Sequence, residues 1–317
     1  MVLSNQFLTI TFFSSVPYCW KHLQKTLFKV SKSLTFVIEK GKHMKTIVVT
    51  TDFTPISQNA VDYAIELALF LQLKLSILHV SSIPLSFSEV PAPIYDLIEM
   101  QSDAEIELAR LKESIIDETG GLLSVETQLR VGDAVSEIND YCNAVKPYIV
   151  IIGAENASAF EKFLFAGKAI SALRQLAWPL IVVPPAVRFS NIRRVALACD
   201  CKEMVSTIPL TYIKTLVNDL HAQLQVVHIA KRDHESNTLR YEKEFEWLKN
   251  VLKGTCSKYH ILQGEQVEDC LTDFAEKNKI DLMIVIPKKY NLLRDLFRHS
   301  HSQNLVLHTH VPVMSVH

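Results

Sequence analysis

From residue 44 onward, short apolar runs rich in β-branched residues alternate with amphipathic stretches, which limits the fold to a parallel sheet covered by helices. TIVVTT at 46–51, closed by Asp52, reads as a buried strand. Residues 57–72 then place Ala60, Tyr63, Ala64, Leu67, Ala68 and Leu71 at helical spacing. Next come a strand at 75–80, a loop holding Pro84, Pro91 and Pro93, and a charged helix over 95–118 that Gly120-Gly121 stops. A strand at 125–131, a helix at 134–146 and an apolar strand at 148–152 follow. A helix over about 161–177 leads to a fifth strand at 179–183. Right-handed crossovers restrict this βαβαβαβαβ order to few topologies. The expectation is an open, doubly wound five-stranded sheet in the order 3-2-1-4-5, helices on both faces, with its ligand crevice at the carboxyl ends of strands one and four.

The pattern then occurs a second time. RVALACD at 194–200 parallels TIVVTTD at 46–52, and LQVVHI at 224–229 parallels LSILHV at 75–80, so His228 answers His79. Gly264 answers Gly132, and HVPVMSVH at 310–317 answers AWPLIVVP at 177–184. Two related domains are therefore expected, at 44–184 and 191–317, joined at Pro184-Pro185. Residues 1–43 match neither copy. Their apolar stretch at 7–13 precedes the first Lys, Lys21, so it lacks the basic start of a secretory signal, and it is too short to span a bilayer. The expectation is an extension outside the working fold, with Met44 as the natural start.

Composition removes several function classes. The 33 Lys and Arg nearly cancel the 34 Asp and Glu, so charge gives no case for nucleic acid or an anionic membrane. Six Cys without a CxxC read as buried or incidental thiols of a reducing compartment. Glycine is scarce: eight residues in 317, against a usual ~7%. Any phosphate cradle must come from that short supply.

The quoted segments resemble the universal stress protein family (UspA-like) in its tandem two-domain form, over essentially all of 44–317. KTIVVTTDFTPISQNAVDYAIELA resembles the family's first strand, Asp and first helix, and LRVGDAVSEI its third strand and Gly turn. IVIIGAENASAFEKFLFAGKAISALRQLAWPLIVVP resembles its C-terminal block. The resemblance implies a Rossmann-like, HUP-type fold and a cytoplasmic stress-response protein.

It also implies where a nucleotide would bind. ATP-binding members carry G-x2-G-x9-G-[ST] after strand four, where glycines let backbone N–H groups close on phosphates. Gly153 fits the first position. Asn156 stands at the second, Ala166 at the third and Gly167 in place of the hydroxyl residue. Taking Gly167 as the third glycine leaves Lys168 where the hydroxyl belongs. Asn156 tolerates a left-handed turn, and Lys168 offers a cation instead. Thr51 and Asp52 after strand one, Val80 at the end of strand two and Gly132 beside the adenine complete the implied cofactor set. Each has a plainer role: Asp52 as a helix cap, Val80 as core, Gly132 as a turn. The expectation is a degenerate nucleotide site in the first domain, with ATP as the cofactor to test there alone.

In the second domain the fourth strand runs into Pro287-Lys288-Lys289-Tyr290, with no glycine and a proline that donates no N–H. No cradle forms from such a sequence, and a structural or regulatory partner is expected. His299, His301, His308, His310 and His317 do not converge by helical spacing, so no metal site is assigned. GxSxG, a Walker loop, HxGH and a pyrophosphatase loop are all absent, so no catalytic residues are assigned and the expected class is non-enzymatic: a sensor or interaction module. Alternatives are an ATP-binding member with slow or no hydrolysis, or a regulatory module on a transporter. The resemblance also implies pairing of the two domains through their fifth strands, 180–183 against 313–316, with a further homodimer possible, no nucleic acid and no membrane insertion.

Overall fold

Strands form where the β-branched runs fall. The computed structural model describes residues 45–81, 94–153, 176, 178–199, 209–230, 246–255, 257–264, 267–286 and 311–316. In the first half these are β1 (Thr46–Thr51), α1 (Pro55–Leu71), β2 (Lys74–Ser81), α2 (Ile94–Thr119), β3 (Val125–Val131), α3 (Ala134–Val145), β4 (Ile149–Gly153) and β5 (Leu180–Val183). In the second they are β6 (Arg194–Ala198), α4 (Leu210–Asp219), β7 (Gln223–Ala230), β8 (Ser257–Gln263), α5 (Val267–Asn278), β9 (Leu282–Val285) and β10 (Val313–Ser315). Apart from Leu176, the stretch at about 161–177 expected to be a helix lies outside the described residues, as do Asn156, Gly167, Lys168, residues 287–290, and the histidines at 299–310 and 317.

β1 is apolar on both faces because it is an inner strand. It pairs in parallel with β2 and with β4. Ile47 and Val49 enter the core under α1, Val48 the core under α3, and all three are fully buried. Burial of each such side chain favours the fold by ~1.5–3 kcal/mol. The full strand order is β3-β2-β1-β4-β5-β10-β9-β6-β7-β8. Each half thus has the order 3-2-1-4-5. The two five-stranded sheets of the sequence reading are the halves of one ten-stranded sheet, because β5 and β10 pair antiparallel, Ile181 opposite Met314. That pairing leaves neither fifth strand as a bare edge.

The duplication extends to individual hydrogen bonds. Gly132 N donates to Ser81 O, and Gly264 N to Ala230 O; Tyr148 N donates to Thr46 O, and Asp281 N to Arg194 O. Scarce glycine leaves other residues in left-handed positions after helices. Gln72 (φ 56°) and His221 (φ 52°) occupy one such place in the two copies, Lys146 and Lys279 (both φ 52°) another.

On one face a single apolar core runs through both halves, from Ile47 and Ile181 to Leu197, Ile284 and Met314. The other face carries separate clusters under α3 and α5. The linker is strapped to α1: Asn59 Nδ2 donates to Pro184 O and Val187 O, both at 3.2 Å, and Arg188 pairs with Asp62 at 2.5 Å. Across the halves, Tyr212 Oη donates to Tyr148 O at 3.0 Å and Tyr148 Oη to Asp219 Oδ2 at 2.9 Å. Lys45 Nζ lies 3.3 Å from the same carboxylate. Burial, and then Asp219 beside it, push the Tyr148 hydroxyl pKa well up, so it stays a donor. Tyr63, the counterpart of Tyr212 in α1, is 2% exposed, and its hydroxyl has no hydrogen-bond partner among the described residues.

Candidate functional site

In a doubly wound sheet the crevice opens where the strand order reverses, here between β1 and β4 at their carboxyl ends. Thr51, Asp52, Val80, Gly132 and Gly153 all stand at that end of the first half's strands.

The turn from β1 into α1 is closed by its own side chains. Asp52 N donates to Ser57 Oγ (3.2 Å), Phe53 N to Thr51 Oγ1 (3.0 Å) and Thr54 N to Asp52 Oδ1 (3.1 Å). Thr54 Oγ1 donates to Asp52 Oδ1 at 2.6 Å and accepts from Ser57 N at 3.3 Å. Thr54, followed by Pro55, is therefore the helix cap, and Asp52 supports the cap from outside. Three successive N–H groups are consumed within the turn, so it presents no row of free donors to an anion. It presents a carboxylate instead. Burial raises the Asp52 pKa, but hydrogen bonds from Ser57, Thr54 and the backbone outweigh it and hold the carboxyl below its ordinary value. Asp52 is exposed and ionised at neutral pH. Thr51, by contrast, is buried, with its hydroxyl 3.2 Å from Ser57 Oγ.

Gly153 has a packing reason to be glycine: a Cβ there would sit 2.6 Å from the backbone O of Ile56 in the first turn of α1. Gly132 has φ +151°, and its Cβ would meet Glu137 Oε1 at 3.0 Å. The next residue, Asp133, caps α3 through Ser136 N. Val80 is half-buried against the cluster under α3.

The sequence reading noted the His79–His228 repeat without giving it a role. His79 Nδ1 lies 2.8 Å from Thr51 O, and the ring tilts 32° from Phe53 with centroids 4.6 Å apart. Phe53 itself is held at φ 62°. In the second half His228 Nδ1 lies 3.1 Å from Cys199 O in the same arrangement, but His228 is 3% exposed where His79 is only half-buried. Ser57, Thr54, Phe53 and His79 thus stand in contact with Thr51 and Asp52 at the candidate site, beyond the expected set. Among the described residues no three of His, Cys, Asp and Glu come together as a metal site would require. Cys142 is fully buried, and burial pushes its thiol up to about 12. No described helix is long and apolar enough to cross a membrane.

A duplicated, doubly wound sheet with its crevice at the β1 and β4 termini defines an α/β protein of the tandem Rossmann-like class. The family model for the universal stress protein family matches residues 43–184 and 210–317. The fold is similar to that of a universal stress protein from Archaeoglobus fulgidus DSM 4304, at 17% identity and TM-score 0.62, covering 87% of this chain and 99% of that one. It is also similar to a functionally unknown protein from Pseudomonas aeruginosa PAO1, at 13% identity and TM-score 0.53, covering 86% and 92%. No curated protein matches the chain in sequence. The chain belongs to the universal stress protein family, with the family's domain present twice.

Proposed function

We propose that this protein is a non-enzymatic, cytoplasmic stress-response sensor whose domain at 44–184 binds a small nucleoside-bearing ligand weakly, while the domain at 191–317 serves as its fused structural partner through β5 and β10. The extension at 1–43 stands outside both. The observation that supports this reading is the closed β1–α1 turn. Its N–H groups are already bonded to Thr51, Asp52 and Ser57, so a ligand meets acceptors there, foremost the Asp52 carboxylate. Acceptors suit ribose hydroxyls and N–H groups, and they do not suit phosphate. Downstream, Asn156 and Ala166 stand where ATP-binding relatives have glycines, and Gly167 or Lys168 where they have a hydroxyl residue, so the family's glycine-and-hydroxyl phosphate block is incomplete.

Calorimetry of the full chain with ATP tests the proposal, together with mass spectrometry of any nucleotide that co-purifies. Weak binding that Asp52→Ala abolishes is the expected result. Stoichiometric ATP surviving purification contradicts the degenerate site, and binding indifferent to Asp52→Ala contradicts the role given to the carboxylate.

A further inference from the structure

The sheet ends on β3 at one side and on β8 at the other, each paired with a single neighbour among the described residues. The ladder fixes which groups of β3 face outward. Leu75 N donates to Ser124 O and Gly132 N to Ser81 O, so the even-numbered residues of β3 turn their backbone groups toward β2. Val125, Thr127, Leu129 and Val131 turn theirs away from it. An edge of this kind is open to another strand unless it is guarded, and VETQLRV holds neither lysine nor proline. Gln128 Nε2 donates to Leu129 O at 2.8 Å, but a carbonyl has two lone pairs, so an incoming N–H still finds an acceptor there.

The strand is its own complement. In antiparallel pairing about a two-fold axis at Gln128, Glu126 of each chain falls opposite Arg130 of the other, on the face that α3 covers. The other face sets Val125 opposite Val131 and Thr127 opposite Leu129, and these are the residues whose backbone groups point outward. Opposed charges and apolar pairs at such positions stabilise strand pairing. Glu126 is exposed, and neither it nor Arg130 has an ion pair among the described residues. The Arg130 guanidinium lies 5.6 Å over the Tyr141 ring, and its Nε has no hydrogen-bond partner among the described residues. Val131, 36% exposed, gains an apolar neighbour. In β8 the matching positions hold Lys258, His260 and Leu262. The same operation there sets a lysine opposite a leucine, so the complement belongs to β3 alone.

We propose that β3 is an association edge that takes a second copy of this chain, β3 against β3 in antiparallel register about Gln128, with Glu126 and Arg130 paired across it twice. The contact uses the same surface on both chains, so it closes at two and does not propagate. One strand edge is a small interface, which places the dissociation constant roughly in the micromolar range. The pairing stands apart from the crevice at β1 and β4 and does not depend on what binds there.

Sedimentation velocity of the full chain, from about 1 to 200 µM at low salt, tests it. The unsubstituted chain passes from monomer to dimer over that range. Glu126→Arg and Arg130→Glu each set like charges opposite one another and weaken the dimer roughly tenfold. The exchange that carries both substitutions restores it, because the opposite charges have only traded places. Thr127→Pro deletes an N–H that β2 does not use, so it removes the dimer while the melting temperature of the monomer holds. Should that variant fold poorly, Glu126→Arg, at an exposed position, decides alone. A chain that stays monomeric at about 200 µM overturns the proposal. So does a dimer that Glu126→Arg leaves at full strength, since another surface then forms it. Single variants that dissociate without rescue by the exchange overturn the register about Gln128.

Discussion

Gly153 and Lys146 show, at single residues, how a chain with eight glycines places them. Gly153 stands where the Ile56 carbonyl leaves no room for a Cβ. Gly153→Ala should lower stability by ~1–3 kcal/mol through overpacking, read as a fall in the urea midpoint. Lys146 occupies a left-handed position (φ 52°) that glycine would fill without strain, and its N–H bond to Cys142 O needs no side chain. Lys146→Gly should therefore raise stability, by ~0.5–1 kcal/mol. The opposite sign at either site would mean that the local backbone differs from the one described. Asp52 carries a pH signature. Its folded pKa is below the unfolded 3.8, so its contribution is complete above that value and disappears as pH falls through the lower folded one. The midpoint difference between wild type and Asp52→Asn should be flat from neutral pH to about 5 and shrink below about 4. A gap that widens toward acid would show that the carboxylate is not the bonded form.

Among the elements, the strands were legible in the sequence because fully buried parallel strands leave short runs unbroken by charge and rich in β-branched or apolar residues, as TIVVTT and LMIV do. The helix caps were less so. Left-handed stops at Gln72, Lys146, His221 and Lys279 carry no glycine signal, and they become visible only as positive φ. The turn TDFTPIS displayed its oxygens, yet not which of them would bond which N–H. Thr54 took the capping role that Asp52 had been offered. The contacts between halves were invisible for another reason: Tyr148, Tyr212, Asp219 and Lys45 meet only through the tertiary fold. They yield a paired prediction. Tyr148→Phe removes a bond to a carboxylate and should cost ~1–2 kcal/mol. Tyr63→Phe removes a buried hydroxyl that has no partner among the described residues and should be neutral or stabilising. Thermal unfolding of the two variants decides it; a large loss in Tyr63→Phe would reveal a bond at that hydroxyl.

At the scale of the whole molecule, repetition and asymmetry coexist. The two copies share strand order, backbone hydrogen bonds and a strand-two histidine. One core links them beneath α1 and α4, and Lys45–His317 forms a single compact unit. The ends of the strands differ. The first half keeps Gly153, an exposed Asp52 and a half-buried His79, while the second buries His228 and runs from β9 into a proline. The proposed function assigns binding to the first half and support to the second, and ligand stoichiometry reports on that division without reference to affinity. Equilibrium titration of the full chain with ATP, at protein concentrations above the dissociation constant, should saturate at one nucleotide per chain. Saturation at two per chain would contradict the account outright.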